Sequence, residues 1–221
     1  MKKKIALLMA AIMLFGVTVG ATIAWLTDET EEVVNTFTVG DVIIDIDEVD
    51  YDKDDNSEDN VSFSSQIRDK ANEYHLIPGK TYVKDPVVHV KAGSEACFLF
   101  VEVENNLGAA EAEGGYGYFP IIHQMDDNNW VPLKGNIWYL SDGKGNILSV
   151  DASKSVDDLH YPVFEKFKVL ETAVRGVSSN SDSDSSVYLG DYAGEIITIK
   201  AYAIQSEGLT GLDPKDIWAK F

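Results

Sequence analysis

One cysteine in 221 residues rules out an internal disulfide, so packing alone must hold this fold together. Cys97 lies in the apolar run Ala96-Cys97-Phe98-Leu99-Phe100-Val101, which reads as a strand carrying a buried, inert thiol. Basic residues are also scarce: 18 Lys and Arg stand against 37 Asp and Glu, for a net charge of −19. That balance excludes nucleic acid as a partner, because phosphate is repelled. It also disfavours adsorption to an anionic membrane and favours solubility and attraction of cations. Catalytic signatures are missing. The histidines His75, His89, His123 and His160 contain no H-E-x-x-H and no pair at helical metal-ligand spacing, so they read as four unrelated side chains. No serine occupies a G-x-S-x-G elbow, and Cys97 has no identifiable histidine partner. With so many carboxylates, close acidic pairs carry no information about glycosidase chemistry.

Long apolar runs are limited to one, at the N-terminus, and no sortase-type sorting signal closes the chain. Lys2, Lys3 and Lys4 precede an apolar stretch from Ile5 to Val19, followed by the small residues of Gly20-Ala21-Thr22-Ile23-Ala24. This is the three-part pattern of a cleavable signal peptide. Its core of 15 residues is shorter than the roughly 20 of a permanent span. Thr22-Ile23-Ala24 is the best A-x-A-like site, so cleavage between Ala24 and Trp25 is expected. Residues 1–24 form the leader, and residues 25–221 form a single secreted domain that touches the membrane only through the uncleaved leader. Loss of the leader, with three lysines and no acids, takes the charge from −19 to −22.

What remains is dominated by strand signals. From Val39 to Val49, Val42, Ile44 and Ile46 fall on one face, with Asp41, Ile43, Asp45 and Asp47 on the other. Thr81–Lys91, Cys97–Val103, Ile137–Leu140, Val163–Leu170, Val187–Leu189 and Glu195–Ile204 read similarly, rich in β-branched and aromatic residues. Gly135-Asn136 is a tight hairpin signal, and Asp142 to Asn146 is a second turn leading into Ile147–Val150. Phe63, Ile67, Ala71 and Tyr74 predict one amphipathic helix, and Asp213-Pro214 predicts an N-capped terminal turn. The expected fold is all-β: an antiparallel, jelly-roll-like β-sandwich with one or two short helices.

Two segments, Asp50–Asn60 and Ser178–Ser186, are too polar to pack and read as surface loops. In the first, Asp50, Asp52, Asp54 and Glu58 resemble positions one, three, five and nine of an EF-hand loop. Asp55 stands where glycine is needed and Val61 where a bidentate glutamate closes the site, so an EF-hand is excluded. A weak, irregular Ca²⁺ site at those four residues is left open beside a plain solvated loop; no other cofactor is expected. Phe98, Phe100, Trp130, Trp138, Tyr139, Phe164, Phe167 and Tyr202 lie in strand segments and read as core.

Thr22-Ile23-Ala24-Trp25-Leu26-Thr27-Asp28, Asn35-Thr36-Phe37-Thr38-Val39-Gly40 and Val42-Ile43-Ile44-Asp45-Ile46 resemble the TasA/camelysin family. These are exported proteins of Gram-positive bacteria whose leaders are removed by a SipW-type signal peptidase. The resemblance continues at Pro78-Gly79-Lys80, Lys84 to Val90, Phe98 to Val103, Pro162-Val163-Phe164 and Ile197 to Gln205. It implies a jelly-roll sandwich and, as for TasA, extracellular fibres of the biofilm matrix, in which the segment freed by leader cleavage adds a strand to the next subunit. The implied donor is Trp25–Val39, with Trp25, Leu26, Val33, Val34, Phe37 and Val39 as pocket-filling residues; the alternatives for this stretch are a flexible leader or a strand paired within its own subunit. The expected function is thus a secreted, non-enzymatic structural or interaction protein that self-associates or joins other matrix proteins. One alternative is a camelysin-like secreted metalloendopeptidase, although no zinc motif supports carrying that activity over. Another is a monomeric binding module at the cell surface.

Overall fold

Alternation from residue 41 onward resolves into the first of eleven strands among the described residues, all paired antiparallel within the sheets. The structure, a computed structural model, describes residues 41–49, 68–112, 120–178 and 186–221. The expected leader with its Ala24/Trp25 cleavage site and the donor segment, including Trp25, Leu26, Val33, Val34, Phe37 and Val39, lie outside the described residues. So do the calcium candidates Asp50, Asp52, Asp54 and Glu58.

One sheet has the order β2-β1-β4-β9, from Arg68–Asp69, Ile44–Val49, Val87–Val90 and Leu159–Pro162. The other has the order β11-β5-β7-β6, from Ile197–Gln205, Cys97–Asn105, Ile137–Leu140 and Trp130–Lys134, with β8 (Ser149–Val150) also on β5. Strands β3 (Thr81–Val83) and β10 (Lys166–Lys168) form a separate two-stranded ribbon. One continuous core lies between the two larger sheets. Ile44, Ile46, Val88 and Val90 from the first meet Leu99, Val101, Val103 and Ala201 from the second. The fold is therefore mainly β, as expected, and the eight aromatics read as core are buried or half-buried.

The run Thr81–Lys91 is not one strand. It breaks at Lys84-Asp85-Pro86, and so does its partner, at Val163–Glu165. Proline has no N–H to give a ladder; here the Pro86 carbonyl accepts from Val163 N at 2.8 Å, and Lys84 N donates to Glu165 O at 3.0 Å. Pairing thus continues around a corner from β4–β9 to β3–β10. The Gly135-Asn136 hairpin forms as expected, with Gly135 at φ +59° joining β6 to β7. Asp213 caps the terminal helix α2 (Pro214–Trp218), its side chain accepting from Lys215 N. That helix lies on the outer face of the second sheet, where Ile217 is fully buried with Phe98, Phe100 and Tyr139.

Two further expectations are corrected. The helix predicted over Phe63–Tyr74 is absent from its described half: Arg68 pairs with Val49 in β2, and residues 71–77 are irregular. The strand predicted at Val187–Leu189 is a single bridge, Val174 with Tyr188, followed by a 3₁₀ turn over Leu189–Tyr192.

A helix not foreseen, α1 (Ile121–Asp127), buries Ile121 and Met125. Its first residue is capped from ten residues upstream: Glu111 accepts from Ile121 N at 2.7 Å and from Asn105 Nδ2 at 3.1 Å. Burial raises the Glu111 carboxyl above its ordinary 4.5, and these hydrogen bonds only partly offset it. The folded state then holds this proton more tightly than the unfolded state. Its contribution to stability is present at low pH and is lost as pH rises through the window above 4.5. The difference in unfolding free energy, native minus Glu111→Gln, should fall between pH 4 and pH 7 in denaturant titrations. A flat difference contradicts the assignment.

Candidate functional site

The outer face of the β2-β1-β4-β9 sheet carries a connected set of charged and imidazole groups. Register explains why. Ile44, Ile46 and Glu48 point into the sandwich, so Asp45 and Asp47 point out, and on β4 His89 falls on the same side. His160 of β9 stands directly opposite His89. Their Nδ1 atoms are 2.6 Å apart and their rings meet edge to face at 84°. His89 Nε2 is 2.8 Å from Asp47 Oδ1. Reading the four histidines as unrelated is therefore wrong for this pair. The signal that joins them is strand register across 71 residues, which local spacing does not carry.

Arg68 organises the acids. Its Nε donates to Asp47, Nη1 lies 3.2 Å from Asp85 Oδ2, and Nη2 donates to the carbonyls of Asp47 and Asp85 at 3.1 Å each. Burial works against the guanidinium charge, but the Asp47 and Asp85 carboxylates outweigh it and raise the pKa above the ordinary value. At the periphery, Lys70 bonds Asp45 at 2.7 Å and holds its carboxyl below the usual range. Asp158 is lowered by the Ala92 N–H and by Lys91, at 2.9 and 3.0 Å.

Beneath this face lies an inward ion pair that sequence patterning also missed. Lys84 Nζ is 2.6 Å from Glu48 Oε2, and both side chains are only 8% exposed. Asn72 Nδ2 donates to Glu48 Oε1 and to Val49 O at 2.8 Å each, and the ammonium sits 5.8 Å from the Tyr74 ring centre. Lys84, Asn72 and Tyr74 also border an open groove of about 620 Å³ that runs to the Arg175–Gly176 turn and to Ile196 and Ile197 at the start of β11.

The second feature is the rim of the larger sheet. β11 pairs with β5 over all nine residues, Ile197 with Asn105 through Gln205 with Cys97. Among the described residues nothing pairs with its other side. The opposite rim, β6, is short, contains Pro132 and has a register irregularity between Pro132 and Lys134, the usual protections of an edge. β11 has neither proline nor bulge. Its inward residues Ala201 and Ala203 are small and only half-buried.

Cys97 is fully buried, and burial alone pushes its thiol up to about 11, so it has no thiolate to offer at neutral pH. No described helix is long and apolar enough to cross a membrane. Comparison with protein-family models, with curated proteins and with solved structures finds no match.

Proposed function

We propose that this chain is an exported structural protein of the extracellular matrix whose copies join by strand addition. The donor is Trp25–Val39 of a second copy, freed when a SipW-type peptidase cuts after Ala24; the acceptor is the β11 rim of a jelly-roll-like sandwich. The observation that carries the reading is β11 itself. A nine-residue rim with one unpaired side among the described residues presents a row of N–H and C=O groups that an extended segment satisfies. Ala201 and Ala203 on its inward side are small and only half-buried, and Trp25, Leu26 and Phe37 supply large apolar side chains to cover them. Such a contact is head-to-tail and does not close on itself, so it grows filaments.

Electron microscopy of the protein beginning at Trp25 tests this across concentrations. Filaments are expected, with monomers only when residues 25–39 are absent. Monomers from both forms, or filaments from both, count against the reading.

A further inference from the structure

Beyond assembly, and independent of it, the geometry points to a metal site: we infer that His89 and His160 bind one divalent transition-metal ion of the zinc and copper class through their two Nδ1 atoms. The ligands occupy directly opposed positions on paired strands, so the backbone fixes their separation. Both Nδ1 atoms already face one another at 2.6 Å. Tetrahedral binding at the usual metal–nitrogen length of about 2.05 Å needs them about 3.3 Å apart. His89 is only 9% exposed and stays put, so the ion lies along its Nδ1 lone pair close to where His160 Nδ1 now sits, and the exposed His160 swings its Nδ1 aside by about 2 Å to admit it.

The second argument is the group behind His89. An ionised carboxylate only accepts hydrogen bonds, so Asp47 requires a proton on His89 Nε2 and leaves the lone pair of a neutral imidazole on Nδ1. A histidine donating its far N–H to a carboxylate is the arrangement that orients metal ligands and raises their basicity. Asp47 is itself fixed by Arg68, which Asp85 also holds. Without metal, His160 Nδ1–H donates to His89 Nδ1. On binding, His160 carries its proton on Nε2 and turns Nδ1 to the ion, so no net proton is released.

Ligand type sets the class. Imidazole suits copper, nickel and zinc, with copper(II) tightest in the divalent series, whereas calcium needs a shell of oxygens. Among the described residues no third His, Cys, Asp or Glu converges with the pair into a three-ligand cluster. Water completes the shell, and the ion is exchangeable rather than structural.

Calorimetric titration of the full chain with CuCl₂ and with ZnCl₂ tests the site, with copper electron paramagnetic resonance to count nitrogen ligands. One copper equivalent with two imidazole nitrogens is expected, zinc binding more weakly at the same site and calcium failing to compete. His160→Ala should weaken copper at least tenfold, and Asp47→Asn by about 10-fold through loss of orientation. A His75→Ala/His123→Ala double variant should bind as the native protein does. Unchanged affinity in His160→Ala overturns the inference, as does loss confined to the His75/His123 variant. Because His160 is exposed, that variant gives a decisive answer even where Asp47→Asn does not fold.

Discussion

Replacing Lys84 by Met should destabilise the protein by about 3–5 kcal/mol, the usual consequence of leaving one charge of a buried pair unpartnered. Glu48 and Lys84 are each 8% exposed and 2.6 Å apart, so little water replaces the lost ammonium. Asn72 Nδ2 satisfies Glu48 Oε1 but not Oε2. For a chain of this size the loss corresponds to roughly 6–20 °C in melting temperature. Changing both partners, Lys84→Met with Glu48→Leu, should recover the loss, because desolvating two charges offsets much of what their attraction returns. Asn72 keeps its bond to the Val49 carbonyl in that variant. Thermal melts of the two singles and the double decide it. Additive losses mean the pair is not coupled and the buried ion pair is misassigned.

The second large effect is at Trp130. Its side chain is fully buried at the start of β6, and its Nε1–H donates to Pro162 O at 2.8 Å, at the end of β9 in the other sheet. It therefore ties the two layers together at that end of the sandwich. Trp130→Ala should cost about 3–5 kcal/mol through the cavity it leaves. Trp130→Phe separates packing from bonding: most of the ring volume stays, but Pro162 O loses its donor, at about 1–3 kcal/mol. Denaturant midpoints should rank native above Phe above Ala. Equal losses in the two variants contradict the packing share, and a neutral Trp130→Ala contradicts the role altogether.

These two sites show where patterning along the chain stops. Alternation around Ile44 and Ile46 reads correctly as a half-buried strand, and Gly135-Asn136 reads correctly as a hairpin, because period and turn chemistry are local properties. The same alternation places Glu48 inward, yet nothing within a few residues announces Lys84 as its partner 36 positions away. His89 and His160 meet only because β4 and β9 pair in one register. Around Arg68 the apolar spacing suggests a helix, but long-range bonds to Asp47 and Asp85 hold an extended backbone instead, tertiary context overriding a local period. Helix α1 was missed for a related reason. Pro120 stands at its N-cap without a side-chain cap, and the group that satisfies the first N–H is Glu111.

The rim of β11 was legible as a strand but not as an edge, since strand order is a property of the whole sheet. Its role in assembly is the central claim, and residue-resolved amide hydrogen exchange tests it most directly. Exchange is compared between the monomer lacking residues 25–39 and the assembled protein beginning at Trp25. The account predicts that amides within Ile197–Gln205 slow markedly on assembly, while those of the bulged β6 rim, Trp130–Lys134, exchange as before. Assembly that leaves Ile197–Gln205 exchanging at the monomer's rate would contradict it.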